Sequence, residues 1–106
     1  MQIQVNTDNQ IEGGEALTRL VEDVVRDVLS RFADQITRVE VHLSDENSSQ
    51  KAGGDDKRCM MEARLAGLRP ISASHRDATV EQAIDGAAEK LETSLERTLG
   101  RLGRTS

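Results

Sequence analysis

The sequence predicts an α+β fold in the order β-α-β-β-β-α: a four-stranded sheet with two helices packed on one face. Two observations predict it. Four short segments alternate apolar and polar side chains with a period of two, the pattern of strands with one buried side. Two longer segments repeat apolar residues three and four apart, the pattern of helices with one apolar stripe. Every element therefore has a single apolar side. The economical packing lays both helices on one sheet face and leaves the other wet.

The first strand spans residues 2–6, where Ile3 and Val5 alternate with Gln2, Gln4 and Asn6. A polar turn, Thr7-Asp8-Asn9-Gln10, follows, and Gly13-Gly14 then precedes a helix predicted over 15–33. Leu17, Leu20, Val21, Val24, Val28 and Phe32 form its apolar face, widened by Val25 and Leu29. Glycine is a weaker cap than Ser or Thr, although Glu15 suits the positive end of the helix dipole.

From Ile36 to Ser44, Val39, Val41 and Leu43 face one way and Arg38, Glu40, His42 and Ser44 the other. Residues 45–56 are rich in Ser, Asn, Gly and Asp and predict a mobile loop. Lys57 to Leu65 is a third strand, with Cys59, Met61, Ala63 and Leu65 in phase; Pro70 to Arg76 is the fourth, with Ile71, Ala73 and His75 in phase. Proline at its start suits a strand end or an edge. Strands two to four form a meander, and a right-handed crossover through the first helix sets strand one parallel beside strand two.

The last helix opens on Thr79, with Gln82 three residues on as the other half of a capping box. Val80, Ala83, Ile84, Ala87, Ala88, Leu91, Leu95 and Leu99 carry its stripe to about Leu99, and residues 99–106 are predicted to fray. No repeat or second domain is evident, so 1–106 reads as one domain.

Composition narrows the function. The chain has 106 residues, 36% hydrophobic and 31% charged, which suits a small folded protein with a modest core. Phe32 is its sole aromatic residue, so the core is aliphatic and no stacking platform exists for single-stranded nucleic acid. No apolar run has membrane-spanning length and no signal pattern opens the chain, which predicts a cytoplasmic protein that does not bind membranes.

Chemistry has few footholds. Cys59, His42 and His75 all lie on strands, but alternation sends Cys59 to the buried face with Leu43 and His42 to the wet face with Met60. Nothing near Cys59 would lower a thiol pKa, so it reads as structural. The acidic residues Asp45, Glu46, Asp55 and Asp56 lack the glycine and terminal glutamate of a calcium loop. No phosphate loop or dinucleotide fingerprint appears, and a lone cysteine without a His-rich cluster gives no zinc site. The sequence calls for no cofactor, metal or small-molecule substrate, and the chain reads as a non-enzyme.

Charge is more informative. The net charge of −5 argues against a general nucleic-acid binder. It is unevenly spread: between Lys57 and Arg76, Lys57, Arg58, Arg64, Arg69 and Arg76 face only Glu62, while acids outnumber bases on both helices. The strand cations either form a solvated face with ion pairs among Arg38, Glu40, Glu62 and Arg64, or contact phosphates without reading sequence.

Several short motifs, in this order and spacing, resemble the ribosome hibernation-promoting factor family, also called ribosome-associated inhibitors or ribosomal subunit interface proteins. They are Met1-Gln2-Ile3, Asn9-x-Ile11-Glu12, Glu15-Ala16-Leu17, Ile36-x-x-Val39-x-Val41, Ala83-Ile84-Asp85-Gly86 and Lys90-Leu91. The resemblance covers nearly the whole chain and matches the short form of the family. It implies a fold like a double-stranded-RNA-binding domain, and a factor that lodges in the small ribosomal subunit near the decoding centre. There it contacts rRNA and occludes mRNA and tRNA in stress or stationary phase. Carried over by position, Lys90, Arg97 and Arg101 fall where the family's last helix is basic, with Arg58, Arg64 and Arg76 as a second patch. Thr93 and Leu99 stand where basic residues are also common, and Glu92 and Glu96 lie among them. The alternative is a divergent protein-interaction module of the same fold that has lost ribosome binding, whose acidic helices suit a basic protein partner.

Overall fold

The computed structural model describes residues 1–9, 11–46 and 56–104. Its elements run β1 (Gln2–Thr7), α1 (Glu15–Val28), a 3-10 turn (Ser30–Phe32), β2 (Ile36–Asp45), β3 (Lys57–Leu65), β4 (Ile71–Asp77) and α2 (Val80–Arg104). The sheet order is β1-β2-β3-β4, with β1 parallel to β2 and the other neighbours antiparallel. This is the predicted α+β arrangement, with the crossover through α1 joining parallel neighbours.

One face of the sheet is the core. Val39, Val41, Cys59, Met61 and Ala63 from the central strands are fully buried against Val21, Val25 and Leu29 of the first helical segment and Ala83, Ile84, Ala87, Ala88, Leu91 and Leu95 of α2. Each large aliphatic side chain buried there stabilises the fold by about 1.5–3 kcal/mol. The alanines at 83, 87 and 88 let the backbone of α2 lie close to the sheet. Leu43 pairs with Cys59 and His42 with Met60, which is the predicted register with its predicted sides.

Several predicted boundaries move. The first helix ends at Val28 rather than near Ala33, because the chain tightens into the 3-10 turn that tucks Phe32 into the core. Asp45 belongs to β2, and the Glu46 N–H donates to the Asp56 carbonyl at 2.7 Å, so the ladder extends past the predicted loop start. The rest of that loop, 47–55, lies outside the described residues. At the other end α2 runs on to Arg104, past its predicted end at about Leu99. Gly100 keeps a right-handed backbone, since positive φ occurs only at Gly14 and Gly67 among the described glycines. One helical glycine costs about 1 kcal/mol, too little to end a helix without a left-handed cap.

Both helix starts follow the predicted chemistry. Gly14 precedes α1 with φ of 130° and offers no side-chain cap. At α2 the Gln82 N–H donates to Thr79 Oγ1 at 3.1 Å. The return half of the box differs: Thr79 Oγ1 donates to Gln82 Oε1 at 3.1 Å, so hydroxyl and amide bond each other. Asp8, read only as a turn residue, ties the loop after β1 to the end of β2, accepting from the N–H groups of Ile11 (3.0 Å) and Asp45 (3.1 Å). Among the described residues no helix is long and apolar enough to cross a membrane.

Candidate nucleic-acid interface

Charge on α2 is sorted by helix geometry. Lys90, Arg97 and Arg101 stand seven and four residues apart, while Asp85, Glu89, Glu92 and Glu96 repeat the four-three-four spacing of one flank. At 3.6 residues per turn the two sets lie roughly 130° apart around the axis. Contacts fix where each set points. Glu92 and Glu96 turn toward Arg31, whose Nη2 lies 3.6 Å and 2.9 Å from their carboxylates. Arg31 also stacks over Phe32, 4.7 Å from the ring centroid. The basic set runs along the side of α2 next to edge strand β4, where Lys90 Nζ reaches the Ser74 carbonyl at 3.5 Å. All three cations are exposed, and no acid pairs with them among the described residues. A surface depression beside Arg97 and Arg101 is bordered by Thr93, Glu96 and Gly100.

The wet sheet face separates the second predicted patch. Arg58 and Arg76 are direct cross-strand partners, with Ser44 opposite Arg58 on its other side. Arg64 lies six residues along β3, roughly 20 Å away. It sits opposite Arg38 and is held by Glu40 (3.3 Å) and Glu62 (3.2 Å), while Arg38 bonds Glu40 at 2.6 Å. That end of the face is a neutral ion-pair network, as the residue types at those positions predict. Arg76 pairs with Glu46 at 2.7 Å. Lys57 is bound by Asp45 and Asp56, which hold its ammonium pKa above the ordinary value. Arg58 has no acidic partner among the described residues.

The residues that could have formed a nucleophile are placed for structure. Cys59 and His75 are cross-strand partners on the core side. Burial pushes the thiol up to about 12, so it stays protonated at neutral pH. The His75 Nε2 lies 3.0 Å from Asp77 Oδ2 instead of serving the sulfur. The Ala78 N–H donates to the other carboxylate oxygen at 2.8 Å. These two bonds, the backbone one foremost, hold Asp77 below the usual carboxylate range. Among the described residues no cluster of His, Cys, Asp and Glu is arranged to hold a metal ion.

The profile of the family described as "Sigma 54 modulation protein / S30EA ribosomal protein" matches residues 3–103. The chain belongs to that family. The match bears out the resemblance to ribosome hibernation-promoting factors, a family of ribosome-associated regulators of translation rather than of enzymes. A solved ribosomal subunit interface protein from Coxiella burnetii is 21% identical with a TM-score of 0.75, covering 94% of this chain and 99% of that one. At that identity it shows the shared fold. The N-terminal domain of Thermus thermophilus Protein Y is 26% identical with a TM-score of 0.71, covering 92% and 99% respectively. No curated protein matches the chain.

The candidate cations lie on the elements where the sequence puts them, β3, β4 and α2, and the pairing of Arg64 with Glu40 and Glu62 is the one its pattern anticipates. Arg31 was legible only as one more helix-one charge. Its pairing with Glu92 and Glu96 depends on how the 3-10 turn after α1 meets α2, which no local pattern encodes.

Proposed function

We propose that the chain inhibits translation by binding rRNA of the small ribosomal subunit near the decoding centre and occluding mRNA and tRNA in stress or stationary phase. The observation that carries this reading is the sorting of charge on α2. A helix whose net charge is negative still presents Lys90, Arg97 and Arg101 together, because Glu92 and Glu96 are turned to Arg31. Cations without acidic partners release phosphate counterions fully on binding, and that release dominates affinity. Glu92 and Glu96 are engaged by Arg31 of the 3-10 turn, which offsets their charge beside the basic flank. Arg58 and Arg76 supply a second contact across the wet face, and Arg64, tied to two carboxylates, contributes least. With one aromatic residue in the chain, the contacts position the protein without reading bases. The mechanism is steric occlusion by residues 1–106 acting as one unit in the cytoplasm, with no bond made or broken and no cofactor.

Co-sedimentation with vacant small subunits tests this. Binding is expected at low and physiological salt and is displaced by tRNA bound in the decoding region. Binding that tolerates saturating tRNA would overturn occlusion. A second reading, a protein-interaction module, draws on the exposed Asp85 and Glu89 of the acidic flank. It predicts association with a basic protein that weakens as salt rises, and none with vacant subunits.

A further inference from the structure

The β3–β4 turn lies at the end of the domain toward which the basic flank of α2 runs. Two contacts set this register. Gly86 lies against His75, and Lys90 reaches Ser74, so α2 runs opposite to β4. From Lys90, seven residues of helix advance about 10 Å to Arg97. From Ser74, four residues of strand lead back about 13 Å to Pro70. Arg97 therefore comes level with the turn, and Arg101 lies one helical turn beyond.

The turn is built to hold its side chains outward. Gly67 takes φ of 77°, which a side chain would resist, and the Leu68 N–H donates to the Leu65 carbonyl at 3.4 Å. Pro70 fixes the backbone on the other side of Arg69. Leu68 is the one large apolar side chain left exposed among the described residues, at 38%. Arg69 is exposed and, like Arg58, has no acidic partner among the described residues, whereas Lys57, Arg64 and Arg76 are all held by carboxylates. A single exposed leucine is ordinary. A leucine beside an unpaired arginine, on a stiff turn level with Arg97, is a surface.

We propose that the Gly67–Pro70 turn is a third RNA-contacting element, in which Arg69 takes a backbone phosphate and Leu68 rests on an unstacked base beside the strand held by α2. This rests on the RNA-binding reading above and extends it to residues outside the two basic patches. Apolar side chains are known to wedge against bases in this way, while cations hold the adjacent backbone.

The test measures affinity of the full chain for vacant small subunits across a salt series, comparing wild type with Arg69→Gln, Leu68→Ser and, as a control, Arg19→Gln. Arg19 is an exposed helix-one arginine paired with Glu15 at 3.5 Å. Arg69→Gln is expected to weaken binding and reduce the log–log salt slope by about 0.7–0.9, one phosphate contact. Leu68→Ser is expected to weaken binding with the slope unchanged, and Arg19→Gln to change neither. Wild-type binding with an unaltered slope in Arg69→Gln would overturn the turn's role and leave the α2 interface standing. Loss in Leu68→Ser alone would assign the turn to a protein surface and also overturn it. Failure of wild type to bind at any salt would overturn the RNA-binding reading itself.

Discussion

The His75 imidazole lies directly on Gly86, where the edge strand meets the first turns of α2. A Cβ at position 86 would clash with the ring, closest to its Cδ2 and 2.5 Å from Cγ and 2.6 Å from Nε2. Glycine mid-helix normally costs stability. Here it admits a half-buried ring that is itself anchored to Asp77, so the absent side chain is what lets α2 sit down on β4.

Gly86→Ala is therefore expected to destabilise the domain by about 1–3 kcal/mol, the usual range for overpacking, despite alanine's better helix propensity. Urea unfolding measures it. Adding His75→Ser should recover much of the loss, because the two positions are in contact and do not act independently. A wild-type midpoint for Gly86→Ala would show that the ring is free to leave.

Gly100→Ala should do the opposite. A Cβ there meets nothing within 4 Å, and the backbone is already helical. The expected gain is about 0.5–1 kcal/mol, from lower chain entropy in the unfolded state. Circular dichroism and urea midpoints check it. A loss of stability would mean that the last turns of α2 need a glycine bend.

The contrast between these glycines marks what the sequence could reveal. Val39, Val41, Cys59 and Met61 announced their buried side through strict alternation, and Thr79 with Gln82 announced the start of α2. Those are local signals, and the elements they specify are the elements observed. Cys59 was legible as inert for the same reason: alternation buried it. Whether Gly86 or Gly100 would tolerate a side chain depends on what crosses above, and no periodicity reports that. The cations followed the same division. Their positions on α2, β3 and β4 could be read directly. The pairing of Arg31 with Glu92 and Glu96, and of Arg76 with Glu46, arises from contacts between distant segments. Counting charge along α2 gave a negative helix; its three-dimensional arrangement gives a basic flank.

Asp77 gives a pH signature. Its pKa lies below the ordinary 3.8, held down first by the Ala78 N–H and then by the bond to His75. A depressed carboxylate contributes stability that is fully present above the unfolded-state value and lost as pH falls through the folded-state value. The stability difference between wild type and Asp77→Asn should therefore shrink as pH falls below about 4. Denaturant midpoints across that range decide it. A difference that persists unchanged at the acid end would remove Asp77 from the linkage.

In the proposed complex a basic flank, rather than net charge, holds this acidic protein on the ribosome. Co-sedimentation of vacant small subunits with two charge-reversed variants tests it most directly. Lys90→Glu/Arg97→Glu reverses the α2 flank, and Arg19→Glu/Arg26→Glu makes the same change in net charge on exposed α1 positions. With both variants folded, the first is expected to leave the ribosomal pellet entirely and the second to remain largely with it. Equal loss from both would reduce the interaction to overall charge, and retention of the α2 variant would show that the flank does not hold RNA.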